Sequence, residues 1–305
     1  MVQGDTPYSL LDRCWIPVRR ASGHSEWIAP YSLTEGIDGD PIVAIASPRP
    51  DFDGALMEFV IGLLTTCVTP EDDDAWVEQW EAPPKPEELR SALAPFAQAF
   101  VLDGDGPRFF QDFENLTSNA TPIAALLIDE PGAQALKRNA DHFIKRNRIY
   151  QLSSQAAAMA LITLQTYAPA GGAGHRTSMR GGGPLTTLVS IGKSLWHQAW
   201  ANVETRLQIE ERGAPFFNGS RSSNSDGADA HAGIFPWLTP TRQSNANGGE
   251  TSPADVHPLQ VYWGMPRRIR LDFTPAEGEI CDLTGAVGSN LAQTYRSRPH
   301  GTNYS

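Results

Sequence analysis

Residues 168–189, Ala-Pro-Ala-Gly-Gly-Ala-Gly-His-Arg-Thr-Ser-Met-Arg-Gly-Gly-Gly-Pro-Leu-Thr-Thr-Leu-Val, join two apolar, helix-like segments through a loop rich in both glycine and arginine. Gly171, Gly172, Gly174, Gly181, Gly182 and Gly183 let the backbone turn tightly and come close to a ligand. Arg176 and Arg180 put positive charge in the same loop. Pro184, with Thr186 and Thr187 behind it, suits the first turn of a helix, whose free N–H groups favour an anion. Two readings follow from the residues alone: a long flexible connection, or a surface that grips a phosphate backbone.

Outward from the loop, the upstream segment Ser153–Tyr167 reads as a helix capped by Ser153 or Ser154, with Ala157, Leu161, Leu164 and Ala168 at helical spacing. Downstream, Leu185–Val203 reads as a second helix carrying Trp196 and Trp200 one turn apart, as core residues. Further helices are expected at Ala55–Cys67, capped by Asp51 or Asp53, and at Glu87–Phe100. Strands are expected at Leu11–Val18 (ending at Pro17), Pro41–Ala46, Arg108–Phe113 and Ile123–Ile128. Leu259–Gly264 and Arg267–Phe273 read as a hairpin around Met265-Pro266, with Arg268 and Arg270 on one face and Ile269 and Leu271 on the other. The stretch 218–249 is dominated by Ser, Asn, Gly, Asp and Ala around one aromatic segment at 234–240, and reads as surface loops. Tyr295–Ser305 reads as a polar, basic tail. This mixture of short strands, several helices and long loops is an α+β arrangement, taken as one large domain over 1–305.

The 305 residues are 40% hydrophobic and 19% charged, with 27 glycines and 24 prolines, as in a globular protein with many loops. No apolar run reaches the roughly 18 residues of a membrane span, and the first residues lack a signal-peptide pattern, so a cytoplasmic protein without a membrane partner is expected. Cys14, Cys67 and Cys281 are widely spaced beside apolar residues and read as buried thiols. The net charge of −11 argues against a nucleic-acid partner only until its distribution is followed. Residues 71–88 hold eight acids against Lys85 alone. Residues 136–180 hold Lys137, Arg138, Lys145, Arg146, Arg148, Arg176 and Arg180 against Asp141 alone. Local sign governs a binding face more than the total does.

Motifs of catalysis are scarce. Gly192-Lys193-Ser194 ends like a phosphate-binding loop, but Thr187 stands where its first glycine belongs. The G-x-S-x-G, H-E-x-x-H and C-x-x-C patterns are absent, and the seven histidines are scattered. Asp51, Asp53 and Asp112 leave open a metal-dependent nuclease assembled from distant acids. A basic, glycine-rich, aromatic-flanked surface without a catalytic constellation suits phosphate and minor-groove binding.

An ordered set of blocks resembles the CasA family, the large subunit of the type I-E CRISPR Cascade complex. These blocks are Leu11–Val18, Asp141-His142-Phe143, Gln165–Gly174, Arg180–Leu188, Trp237–Pro240 and Tyr262–Ile269. The resemblance implies a non-catalytic subunit, without a cofactor, that recognises the protospacer-adjacent motif in duplex DNA and touches the handle of the guide RNA. It also implies the other Cascade subunits as partners and, through the full-length protein, a helicase-nuclease effector. By resemblance the glycine loop corresponds to Ala170–Gly174, so Gly171, Gly172, Gly174, Arg176 and Arg180 are DNA-binding candidates, with Arg296 or Arg298 as a basic finger. Phe143, Lys145, Arg146 and Arg148 match the part that reaches the guide RNA. Some relatives hold zinc with cysteine pairs; Ser153 and Ala156 stand where one such pair would fall, so no metal is expected. The family's wedge region and C-terminal helical bundle would follow Ser305, which makes this chain the N-terminal portion. A purely structural assembly subunit is a further alternative.

Overall fold

The computed structural model describes residues 7–142, 144–172, 174–181, 186–218, 228–242, 244, 249–276 and 278–305. Its framework is α+β. Strands β1 (Ile16–Arg20), β2 (Ser25–Ile28) and β3 (Ile42–Ile45) form an antiparallel sheet in the order β2-β1-β3. The first strand starts later than expected and runs through Pro17 instead of ending there. Pro17 precedes Val18, the first residue paired with β3, so its missing N–H costs no ladder bond, while its carbonyl accepts from the Ala46 N–H at 2.9 Å.

Helix α1 (Pro50–Cys67) is the centre of the core. It begins earlier than expected, with Pro50 at its first position, where a fixed φ suits helix entry. Asp51 and Asp53 therefore lie in its first turn and do not cap it. Arg49 donates to Asp51 at 2.9 Å, and Asp53 accepts from the Ser47 N–H at 2.8 Å. Phe59 makes edge-on contacts with Trp15, Phe109 and Trp263 at 5.2, 5.9 and 5.9 Å between centroids. Phe100, Phe235 and Trp237 extend this aromatic cluster, so the 234–240 segment is anchored in the core through Phe235 and Trp237. Each such pair adds about 0.5–1.5 kcal/mol beyond its area burial.

Helices α2 (Asp73–Glu81) and α3 (Pro86–Leu93) follow, α2 being capped by Asp72, which accepts from the Ala75 N–H. The single helix expected over 87–100 divides at Pro95, and the chain continues as a 3-10 turn, Ala94–Phe100. Proline removes a donor and crowds the preceding turn. Neither strand expected over 108–113 and 123–128 forms. Phe110 takes a φ of 53°, which breaks an extended run. Ile123–Leu126 is a 3-10 turn behind the two-residue β4 (Thr121–Pro122). Beyond α4 (Ala133–Lys137) and β5 (Leu152–Ser153), α5 (Ser154–Tyr167) forms as expected, with Ser153 accepting from the Ala156 N–H. It packs against α1.

The helix expected over 185–203 shortens to α6 (Leu195–Trp200), capped by Ser194. Gly192 sits at a φ of 87°, and the Asn202 side chain bonds both the N–H and the carbonyl of Val189, holding that approach extended. Residues 182–185, where the expected helix begins, lie outside the described residues, as do 219–227, 243 and 245–248 of the stretch 218–249. Trp196 and Trp200 are fully buried and stacked at 4.9 Å, as core residues. The remaining helices are α7 (Arg206–Arg212), α8 (Ala214–Phe217), α9 (Ala228–Ile234) and α10 (Gln260–Trp263).

In place of the expected hairpin around Met265-Pro266, 260–263 is helical, and β7 (Arg268–Pro275) pairs antiparallel with β8 (Asn290–Arg298). β8 also pairs with β4 and β5. The residues read as a tail are thus the second half of β8 followed by β9 (Asn303–Tyr304), which runs parallel to β6 (Glu250–Thr251). Leu291 and Tyr295 supply the apolar contacts that a free tail would lack. Alternation in β7 holds, but both faces are buried: Ile269 and Leu271 meet the core, while Arg268 pairs with buried Asp112 at 2.5 Å. Cys14 is exposed, contrary to the expectation of three buried thiols, because it lies between the turn at 10–12 and β1. Among the described residues no helix is long and apolar enough to cross a membrane.

Two outcomes follow. Asp112→Ala strands a buried guanidinium and should cost about 3–5 kcal/mol in urea unfolding, with a large part recovered by adding Arg268→Met. Burial, with Arg212 nearby, lowers His257 to about 4, and its Nδ1 accepts the Leu259 N–H. The folded state thus favours neutral His257, and this contribution is complete above the usual histidine value near 6.5 and fades as pH falls toward about 4. Wild-type urea midpoints should drop more steeply across that window than those of His257→Asn; parallel profiles would count against it.

Candidate nucleic-acid interface

The last turn of α5 leaves carbonyls without intrahelical donors. The returning limb of the glycine loop supplies them. Met179 N–H donates to Gln165 O at 3.3 Å, Arg180 N–H to Thr166 O at 2.6 Å, and Ser178 N–H to Ala168 O at 2.9 Å. The Ser178 hydroxyl donates to Leu164 O. Residues 169–172 and 174–177 are thereby held out as the two limbs of a hairpin, joined by Gly171 N–H to His175 O at 3.1 Å and His175 N–H to Gly172 O at 3.0 Å. Pro169 to Gly172 are exposed at its tip.

The hairpin rests on β7 and the end of β8. Gly171 has no room for a side chain: a Cβ would stand 2.7 Å from Arg267 Nη1 and 2.9 Å from His175 Cβ. Gly174 is doubly constrained, with a φ of 77° and a would-be Cβ 2.6 Å from Pro299. Its carbonyl accepts the His300 N–H at 2.7 Å. Arg267 donates from Nη2 to Pro169 O. Beneath lies Gln165, fully buried, whose amide accepts the Arg267 N–H and donates to the carbonyls of Arg267 and Phe110. Burial, then Arg267, then His300 lower the His175 pKa, so its neutral form is favoured in this positively charged corner.

The DNA-binding candidates divide by surroundings. Arg298 is the most open, its side chain 55% exposed beside Glu114 at 3.4 Å. Arg296 lies between Asp272 at 3.3 Å and Ser118 O at 2.6 Å. Both stand on the stretch of β8 that leads through Pro299 to His300, so the structure brings the basic strand end and the glycine loop together. Arg176 donates to Ser244 Oγ at 2.9 Å, which itself bonds Gly301 O. Arg180 turns inward to Glu58 at 3.2 Å and Val261 O at 3.2 Å, on the wall of a cleft of about 660 Å³. Its side chain is 18% exposed.

The guide-RNA candidates lie in the segment before β5. Lys145 and Arg148 are exposed, and Arg146 is ion-paired with Asp141. Asp282 fixes the end of this segment by accepting the N–H groups of Tyr150 and Gln151 at 2.7 and 2.9 Å. Phe143 and Ala173 lie outside the described residues. The acids of the nuclease alternative are engaged separately, Asp51 by Arg49, Asp53 by Ser47 and Asp112 by Arg268. Among the described residues no three His, Cys, Asp or Glu side chains are grouped to hold a metal ion.

Sequence reading missed Gln165, Arg267 and His300 as supports of the loop. The available signals were Gln165 near the end of a largely apolar helix and the tight Pro-His-Gly run at 299–301.

Residues 9–305 match the family model of CRISPR-associated protein Cse1. The fold is similar to Cse1 from Acidimicrobium ferrooxidans, with TM-score 0.62 and 16% identity over 99% of this chain and 53% of that one. CasA (Cse1) from Thermus thermophilus is similar at TM-score 0.57 and 18% identity, over 98% and 55%. So is a chain of a CRISPR RNA-guided surveillance complex, at TM-score 0.55 and 14% identity over 98% and 56%. The chain spans about half the length of these solved relatives, and at such identities the likeness is one of fold.

Proposed function

The chain belongs to the CRISPR-associated Cse1 family, and from that premise we propose that it is the motif-reading portion of a Cascade subunit. It acts without catalysis: the glycine loop meets the minor groove of duplex DNA beside the target, and Arg298 and Arg296 neutralise phosphates next to it. Lys145, Arg146 and Arg148 face the handle of the guide RNA, whose pairing then reads the target sequence. Its partners are the guide RNA, the duplex and the other Cascade subunits, with a helicase-nuclease joining through the full-length protein. The observation that carries this reading is the His300–Gly174 hydrogen bond, which joins an exposed glycine tip to a basic strand end. Minor-groove binding needs that combination of close backbone approach and slender cations.

The arginines differ in what their removal should do. In the assembled complex, Arg298→Ala should weaken binding across all duplex sequences and reduce the salt slope by about one contact. Arg180→Ala should lower the thermal midpoint and leave the slope unchanged. Titrations against a randomised motif library at several salt concentrations check both. An Arg298→Ala complex that binds as wild type at every salt concentration would favour a purely structural assembly role, and cleavage of plasmid with Mg²⁺ or Mn²⁺, lost on Asp→Ala substitution, would favour a nuclease.

A further inference from the structure

We propose that Arg267 is a positioning residue: from beneath the backbone it sets the shape of the Pro169–Gly172 tip that faces the duplex, without touching the duplex itself. The proposal rests on the reading that this loop meets DNA. Arg267 is 9% exposed, and its main chain is gripped on both sides by the Gln165 amide, at 3.1 Å through its N–H and 2.8 Å through its carbonyl. Its backbone therefore cannot drift with the loop. From that fixed point the guanidinium bonds Pro169 O and lies against Gly171, whose missing side chain leaves the space that Nη1 fills.

The charge of Arg267 is unusual for so buried a group. Among the described residues no acid forms an ion pair with it, whereas neighbouring Arg268 takes Asp112 and Glu114. Among the described residues its Nε has no hydrogen-bond partner, and burial lowers its pKa. A buried cation left without an acid is costly, and hydrophobic packing of the same volume would be the more stable choice. What the guanidinium offers that an apolar chain lacks is a planar donor fork: Nη2 on Pro169 O and Nη1 in the space beside Gly171. A lysine keeps the charge and loses the fork. His300, held at a φ of 64°, fixes the other end of the tip through its N–H on Gly174 O. The tip is thus clamped at one end by the Arg267 side chain on Pro169 O and at the other by a main-chain bond, His300 N–H to Gly174 O.

The test uses the assembled complex with guide RNA and a duplex library randomised at the motif. Arg267→Met and Arg267→Lys should both lose about tenfold affinity for the preferred motif and flatten the preference. Affinity for non-specific duplex, the salt slope and retention of guide RNA should stay at wild-type values. A Lys variant that restores the preference would show that charge suffices, and would overturn the proposal. So would a slope reduced by about one in Arg267→Met, the mark of a direct phosphate contact. If that variant fails to assemble, Gly171→Ala, which drives a methyl into Nη1, must flatten the preference in the same way; an unchanged preference overturns the proposal. A wild-type complex without any motif preference would instead sink the underlying reading of the loop.

Discussion

The buried amide of Gln165 is the joint on which the candidate interface depends. One side chain accepts from Arg267 and donates to two carbonyls, those of Arg267 and Phe110, so the end of α5, the entry to β7 and the Phe110 turn are locked together. Because Gln165 is fully buried, separating any two of the three would leave polar groups unsatisfied in the core. The glycine loop leaves α5 at the very next turn and comes back to bond the carbonyls of Gln165 and Thr166. An exposed, glycine-rich tip is thereby carried on a rigid base. That solves a conflict inherent in such loops: glycine allows close approach to a ligand, but its freedom costs entropy whenever a single shape is required.

In a chain with a net charge of −11 the basic groups are sorted between the interior and the surface. Arg268 and Arg270 are consumed inside the fold on Asp112, by its carboxylate and its carbonyl, and they fix β7. Arg180 is spent on Glu58 between the loop and α1. Arg298 keeps much of its surface, and Lys145 and Arg148 are exposed. Counting cations in the sequence could not separate these groups, because their partners lie far away in the chain.

Local rules made α5 and β3 legible, the first through a serine cap ahead of an apolar run and the second through a short β-branched stretch. They also identified Trp196 and Trp200 as core. The helix expected over 185–203 was misread because Gly192 and the Asn202 side chain act against an apolar pattern, through a backbone that periodicity does not report. The hairpin around Met265-Pro266 was misread for a different reason. The true partner of β7 is β8, beyond an intervening connection, and it was hidden in a stretch whose polarity resembled a tail. At the interface, glycine spacing pointed to the loop, while its supports were invisible: Arg267 and His300 act mainly through contacts made by folding.

The most direct measurement is amide hydrogen exchange on the assembled complex, with and without a duplex that carries the motif. The amides of Ser178, Met179 and Arg180 should be protected in both states, because they cap α5, while those at Ala170 to Gly172 should slow by about tenfold only when the duplex is present. Fast exchange at 178–180 without DNA, or duplex protection confined to other parts of the chain, would contradict a rigidly carried glycine tip as the surface that meets DNA.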